Sequence, residues 1–367
     1  MSFYLKCTKC GEKYGPDYSW PRCKKCGGLL EVEYEYDKIS LPSDFKAQFV
    51  KQWKYRPFMP VKRKPVTAGE GGTRLKKVSS GPSVYLKIEL DNPTKSFKDR
   101  GSTVEVTKAL ELGFSRLVVA STGNMALSVS AYAEIAGLEA ITFVGQGANR
   151  NKIDMIRNKG GKIIEVQGDF NDALNEAEKF AASTNSFLVG DYMYRKEGQK
   201  GVAFEIIDQL SYNPPDYIFV PVGNGTLISA TYKGLLEYKL FGLIDKLPKI
   251  IAVQARGADA FYKYLKTGVL KKTKVHTDAD AIAVGLPTYA EQAKEAVKST
   301  GGEAIVVSER QIKRAVKEIY KKAQVCAELG GAAAYAGLLN YDLPKDSTAV
   351  AIVTGETSRA FWFHIFF

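Results

Sequence analysis

Two hydrophobic patterns alternate along the chain from residue 84 onward. Short runs that are apolar at most positions include "VYLKIEL", "RLVVAST", "AITFVG", "KIIEVQG", "FLVGD", "YIFVPVG", "KIIAVQA", "EAIVVS" and "TAVAIVTG". Between them lie longer amphipathic segments such as "STVEVTKALELG", "MALSVSAYAEIAG", "NDALNEAEKFAAST", "GVAFEIIDQL", "LISATYKGLLEYKL" and "ERQIKRAVKEIYKKA". A strand without polar alternation is covered on both faces, and helices between such strands are what cover a parallel sheet. The pattern therefore predicts an α/β protein. At 367 residues the chain exceeds the usual single-domain size, so two doubly wound parallel-sheet domains are expected.

In such sheets ligands bind beyond the carboxyl ends of the strands. Three of the loops there are rich in Gly, Ser, Thr or Asn: "ASTGN" at 120–124, "VGNGT" at 222–226 and "VTGET" at 353–357. The segment 36–83 is punctuated by proline and glycine and is expected to wrap one domain before the first βα unit. Residues 268–290 have weak periodicity and read as a loop. The expected division is a small element over 1–35, a smaller α/β domain over 84–194 carrying the ASTGN loop, and a larger one from 36–83 and 195–367.

Composition narrows the class of protein. No apolar run approaches the roughly 18 residues of a membrane span, and the N-terminus lacks a secretory signal, so a cytoplasmic protein is expected. The net charge of +12 is spread without long basic runs, which disfavours nucleic acid and suits a solvated surface or an anionic small molecule. The aromatic tail "GETSRAFWFHIFF" is too short to span a bilayer and is expected to pack into a core or a subunit contact. Cys326 reads as buried core in a helical segment, and neither His276 nor His364 has a partner visible in the sequence.

Cys7 and Cys10 form one Cys-x-x-Cys knuckle, and Cys23 and Cys26 a second, with twelve residues between them. In an intracellular chain this is the thiolate set of a zinc ribbon. Four thiolates close the coordination sphere, so the zinc would be structural. Ribbons also occur in nucleic-acid-binding proteins, but that reading leaves the chemistry of the loops idle.

Lys98 of "NPTKSFKDRG" falls in the first turn of the helix whose period "STVEVTKALELG" supplies, with Ser96 placed to cap it. The positive end of a helix disfavours an ammonium there, and so does burial; both lower the pKa and free the amine for imine chemistry. "VGNGT" presents backbone N–H groups at a helix start and suits a phosphate without a metal. It lacks the Lys-Ser/Thr ending of a nucleoside-triphosphate loop. "ASTGN" offers neutral donors, and Thr354 a hydroxyl for a ring nitrogen. An amine-forming lysine, a phosphate cradle and a neutral hydroxyl together suggest pyridoxal 5'-phosphate.

The motifs "GEGGTRL", "NPTKSFKDRG", "ASTGN", "RKEGQK", "PVGNGTLISA" and "VTG" resemble those of the threonine synthases, within the β-family (fold type II) of pyridoxal-phosphate enzymes. The resemblance covers nearly the whole chain. It implies a tryptophan synthase β-like fold with the cofactor in the cleft between the two domains, and a homodimer. It further implies that Lys98 carries the cofactor and acts as base and acid, and that Asn124 bonds the cofactor's phenolic oxygen. Gly223, Asn224, Gly225, Thr226 and Leu227 would form the phosphate loop, and Thr354 would face the pyridine nitrogen. Ser121 and Thr122 would hold the carboxylate of an amino-acid substrate, and Arg195 its phosphate. The implied reaction turns O-phospho-L-homoserine and water into L-threonine and phosphate by γ-elimination and β-addition.

Some positions depart from the family pattern. Met125 replaces a threonine, and Val189 and Gly190 replace Asn-Ser, so three neutral donors expected around a substrate phosphate are missing. Each hydrogen bond to a charged group is worth about 1.5–3 kcal/mol. A paralogue acting as a serine/threonine deaminase or a β-replacement enzyme is the alternative that these changes motivate.

Overall fold

The computed structural model describes residues 2–148, 150–168 and 170–357. The strands in chain order are β1 (Phe3–Cys7), β2 (Lys13–Tyr14), β3 (Leu30–Tyr34), β4 (Leu75–Ser80), β5 (Ser83–Ile88), β6 (Arg116–Ala120) and β7 (Glu139–Gly145). They continue with β8 (Lys162–Val166), β9 (Phe187–Leu188), β10 (Tyr217–Pro221), β11 (Lys249–Ala255), β12 (Glu303–Val307) and β13 (Thr348–Val353). The helices are α1 (Lys98–Glu111), α2 (Asn124–Ala136), α3 (Arg150–Arg157), α4 (Phe170–Ser183), α5 (Met193–Gln199) and α6 (Gly201–Gln209). After them come α7 (Thr226–Leu240), α8 (Ala260–Thr267), α9 (Ala290–Ser299), α10 (Glu309–Ala323) and α11 (Leu329–Leu339).

The chain divides into two compact units, one of residues 1–70 and 98–199, the other of 71–97 and 200–367. This differs from the expected boundaries in three places, the shortest being residues 195–199, which end α5 and fall in the first unit with it. Residues 36–70 belong to the first unit because they pack on α1: the Val66 N–H donates to Thr107, and the Trp53 indole to Thr103 and Glu70. The strand of "VYLKIEL" belongs to the second, because β5 pairs in parallel with β13 over six residue pairs. The aromatic run over 358–367, with His364, lies outside the described residues.

In the first unit a four-stranded parallel sheet has the order β8-β7-β6-β9. A separate antiparallel sheet, β2-β1-β3, carries the N-terminal cysteines. The second unit holds a six-stranded sheet of order β12-β11-β10-β13-β5-β4, parallel except for the edge pair β4 and β5. The apolar runs mark its centre: every residue of β13 after Thr348 is buried, as is every residue of β10 after Tyr217.

α10 shows how local sequence sets an element. Ser308 caps it by accepting from the Gln311 N–H at 3.3 Å while Gln311 reaches back to the Ser308 N–H at 2.8 Å. Its Ile312, Ala315, Val316, Ile319 and Ala323 form one buried stripe at three- and four-residue spacing. Each fully buried isoleucine there contributes about 1.5–3 kcal/mol. Cys326 is buried as expected but lies past the end of α10, beside the bridge from Ala327 to Glu356, and not in a helix. Residues 268–289 form the expected loop, interrupted by one 3-10 turn over Asp280–Ile282. No helix among the described residues is long and apolar enough to cross a membrane.

Candidate active site

Three neighbouring strands of the second unit, β10, β13 and β5, run parallel, so the loops beyond their carboxyl ends are neighbours too. After β10 comes Gly223-Asn224-Gly225, and α7 begins at Thr226. Gly225 caps the helix with a φ of 89° and no side-chain capping bond, which leaves the first-turn N–H groups of α7 without intrahelical partners. The Thr226 hydroxyl is buried with no hydrogen-bond partner. Such an array of amides plus an orphaned hydroxyl fits a phosphate.

The loop of residues 268–289 holds this cradle from behind. Asn224 Oδ1 accepts from the Thr288 N–H at 2.7 Å, and the Tyr289 N–H donates to the Asn224 carbonyl at 3.0 Å. A Cβ on Gly223 would lie 3.0 Å from Ile282 Cα, and one on Gly225 would lie 3.0 Å from the Tyr289 carbonyl oxygen. Leu227 is buried just inside the helix. Beyond β13, Thr354 is nearly fully buried, and its carbonyl accepts from the Phe97 N–H at 3.0 Å. Ser96 bridges to Gly355. The residues leading into Lys98 are thereby tied to the end of β13.

The first unit places the remaining groups. Lys98 is the first residue of α1, with 18% of its side chain accessible. Its Nζ lies 3.6 Å from Asp191 Oδ1. Enclosure by the protein holds the amine below the ordinary lysine range; the Asp191 carboxylate pulls the other way, and the Arg195 charge adds to the depression. Ser121, Thr122, Asn124 and Met125 are half-buried in the loop after β6 and the first turn of α2. Gly123 precedes that helix with no side-chain cap, and its N–H donates to Ser121 Oγ at 3.2 Å. β6 and β9 are adjacent, so the segment after β9, Val189-Gly190-Asp191, leaves the same edge of the sheet.

Arg195 is placed otherwise than expected for a substrate ligand. Its side chain is fully buried and turned inward: Nε donates to the Gly190 carbonyl at 3.0 Å, Nη1 to the Lys98 carbonyl at 3.2 Å, and Nη2 to Ser102 Oγ at 3.2 Å. Nη2 also pairs with the Glu105 carboxylate, whose other oxygen accepts from the Gly190 N–H at 3.1 Å. A guanidinium bound this way positions Lys98 and the Gly190 turn. Glu105 sits on the apolar period of a helix, and Asp191 in a short connection; nothing in their spacing marked either as a neighbour of Lys98.

Cys7, Cys10, Cys23 and Cys26 come together, with all four sulfurs within 4.8 Å of one another. None of the four is in a disulfide. Arg22, next to Cys23, pairs with Glu178 at 3.0 Å, and the same carboxylate accepts from the Tyr192 hydroxyl at 3.1 Å. The cysteine element is thus joined to the segment that carries Asp191.

Comparison with known proteins gives consistent relatives. A family model described as "Pyridoxal-phosphate dependent enzyme" matches residues 66–355. The chain is similar to the threonine synthase of Methanosarcina acetivorans, 37% identical over 96% of this chain and 91% of that protein. It is similar to that of Methanocaldococcus jannaschii, 38% identical with the same coverage of both chains. Its fold matches the processed form of threonine deaminase isoform 2 from Solanum lycopersicum with a TM-score of 0.69 and 25% identity, over 80% of this chain and 86% of that one. A match this long, and relatives this similar over nearly their full length, place the chain in the family of pyridoxal-phosphate-dependent enzymes.

Proposed function

We propose that the protein is a threonine synthase that converts O-phospho-L-homoserine and water to L-threonine and phosphate. Lys98 carries the reading: its amine is held below the ordinary lysine range at the start of α1, the chain position that the family motif reserves for the cofactor. The relatives named threonine synthase supply the substrate.

When bound, pyridoxal phosphate would supply an aldehyde that condenses with amines and a ring that withdraws electrons from the carbon next to the amine. The start of α7 and the Thr226 hydroxyl would grip its phosphate, Asn124 its phenolic oxygen and Thr354 its ring nitrogen. A hydroxyl at that nitrogen, unlike a carboxylate, leaves it largely unprotonated and moderates the electron sink. Ser121, Thr122 and the uncapped start of α2 would hold the substrate carboxylate. Released Lys98 would then take the α proton and, after handing it on, a β proton at Nζ as phosphate leaves the γ carbon; one proton is returned to the γ carbon, which becomes the methyl group, water adds its hydroxyl at the β carbon, and the last proton goes back to the α carbon.

A second reading rests on a specific observation. Arg195 faces Glu105, and Met125, Val189 and Gly190 offer no side-chain donor to a substrate phosphate. A serine/threonine deaminase or β-replacement enzyme has no such phosphate to hold. Steady-state turnover of O-phosphohomoserine against serine, threonine and phosphoserine separates the two: threonine and phosphate in equal amounts support the first, and 2-oxo acid with ammonia from the hydroxy amino acids supports the second.

The four cysteines suit a structural zinc, since clustered thiols within one coordination sphere match its preferred tetrahedral ligands. Metal analysis of the purified protein should return one zinc per chain. The family resemblance implies a homodimer, which sedimentation tests; the lack of a secretory signal and the spread of charge support a cytoplasmic enzyme acting without nucleic acid.

A further inference from the structure

The segment 189–195 is more firmly built than a connecting turn requires. The Val189 N–H donates to the Val118 carbonyl at 2.9 Å. The Gly190 peptide is held at both ends, its N–H on Glu105 and its carbonyl on the Arg195 guanidinium. The Tyr192 N–H closes onto the Gly190 carbonyl at 2.8 Å, and the Tyr192 ring stacks so near that a Cβ on Gly190 would lie 2.9 Å from it. Asp191 stands in the middle of this frame. The same guanidinium also donates to the Lys98 carbonyl, so one buried cluster fixes the backbones of both members of the Lys98–Asp191 pair.

From this geometry we propose that Asp191 is the counter-ion of Lys98: it stabilises the ammonium form of Nζ and so sets how strongly Lys98 accepts a proton. The role rests on the reading of Lys98 as the cofactor lysine and extends it. Without a partner, a lysine enclosed this far is a weak base, ready to form an imine but poor at holding a proton drawn from carbon. A carboxylate within reach of Nζ restores part of that basicity. In the reaction the proton leaves the substrate carbon with its electron pair left behind, the N–H bond forms at Nζ, and Asp191 stays ionised throughout.

The other charged groups acting on Nζ are Arg195, from the same segment, and Glu105 of α1 itself. These two pair with each other, and of the two Arg195 acts more strongly, pushing Nζ toward the neutral amine. On α5, Lys196 and Glu197 are turned away to Glu31 and Tyr34. α2, the other helix packed on α1, carries one carboxylate, Glu134, exposed in its last turn. Asp191 is therefore the group whose removal should be felt at Nζ.

The test reads Lys98 directly in cofactor-free protein, by competitive acetylation across pH with mass-spectrometric quantitation of the Lys98 peptide. In Asp191→Asn the pKa of Lys98 should fall by about one unit or more, the size expected for losing an opposite charge at this range, with roughly tenfold faster labelling at neutral pH. Asp191→Glu should restore most of the wild-type value, and Asp191→Ser should behave like the amide. In parallel, borohydride trapping of added pyridoxal phosphate on Lys98 is followed in the wild type and the variants. A Lys98 pKa that does not fall in either neutral variant, with trapping intact, overturns the role of Asp191 alone. A wild type that traps no cofactor on Lys98 overturns the functional reading and this role with it.

Discussion

The carboxyl edge of the six-stranded sheet and that of the four-stranded sheet are built from different materials. Beyond β10 the groups left without partners are backbone amides and one hydroxyl, and the loop of residues 268–289 that supports them does so through main-chain and amide hydrogen bonds. Beyond β9 and around α1 the groups are a lysine, an aspartate, an arginine and a glutamate, each paired with another of the four. A backbone cradle is preorganised by the chain path and tolerates few changes of shape. A charged cluster is preorganised by its pairings and tolerates few changes of charge. The two edges should therefore fail differently when altered, one losing ligand affinity and the other proton chemistry or stability.

The largest effect belongs to the charged edge. Lys98→Ala should abolish covalent capture of pyridoxal phosphate and cost at least about 10³-fold in turnover, the scale of a lost general base, while phosphate-dependent, non-covalent cofactor binding persists. Cofactor absorbance before and after borohydride, together with steady-state assay, reads both. In the wild type, capture should accelerate with pH and level off below the ordinary lysine range, because burial depresses the amine; the exposed lysines go on gaining reactivity above that point.

Arg195→Leu separates a positioning role from a substrate contact. It leaves Glu105 buried without its partner, so unfolding in urea should show a loss of about 3–5 kcal/mol. Adding Glu105→Leu should recover most of that loss, because the charge left stranded is then gone. An Arg195→Leu protein of undiminished stability whose KM for a phosphorylated substrate rises instead would return the arginine to the substrate.

How much of this was legible in the sequence follows from the same contrast. Strands buried on both faces announced themselves as apolar runs, and the uncapped start of α7 as glycines flanking an asparagine, since both are properties of consecutive residues. Helix α11, "LGGAAAYAGLL", gave no periodic signal because it is apolar on every side and buried against the sheet. The direction of Arg195 was hidden for another reason: its partner Glu105 stands 90 residues earlier in the chain, and only folding brings α1 and α5 together. Asp191 was passed over because a lone acid in a turn has no pattern at all. Met125, Val189 and Gly190 were visible as departures, whereas the inward turn of the arginine beside them was not.

At the backbone edge, Gly225→Ala should weaken cofactor binding by about tenfold. The residue holds a left-handed φ of 89°, unfavourable for any side chain, and the added Cβ would press on the Tyr289 carbonyl 3.0 Å away. The change moves the amides and not any charge, so the acetylation profile of Lys98 should stay as in the wild type. A shift in that profile would mean that the two edges are not separable in the way their materials suggest.

Thr226→Val gives the smallest and most discriminating change. In the protein without cofactor the hydroxyl is buried and bonds to nothing, so replacing it with a methyl group of the same shape removes an unsatisfied polar atom. Thermal stability of the cofactor-free variant should hold or rise slightly. Affinity for pyridoxal phosphate should fall by about tenfold or less: a hydrogen bond to a charged group is worth about 1.5–3 kcal/mol, and the α7 amides that stay on the phosphate take up part of the loss. Opposite signs from one substitution are what a hydroxyl kept for a ligand produces, because the fold bears the cost of burying it and only the ligand repays that cost. A loss of stability without cofactor would show that Thr226 serves the fold, and the phosphate would then be held by the α7 amides alone.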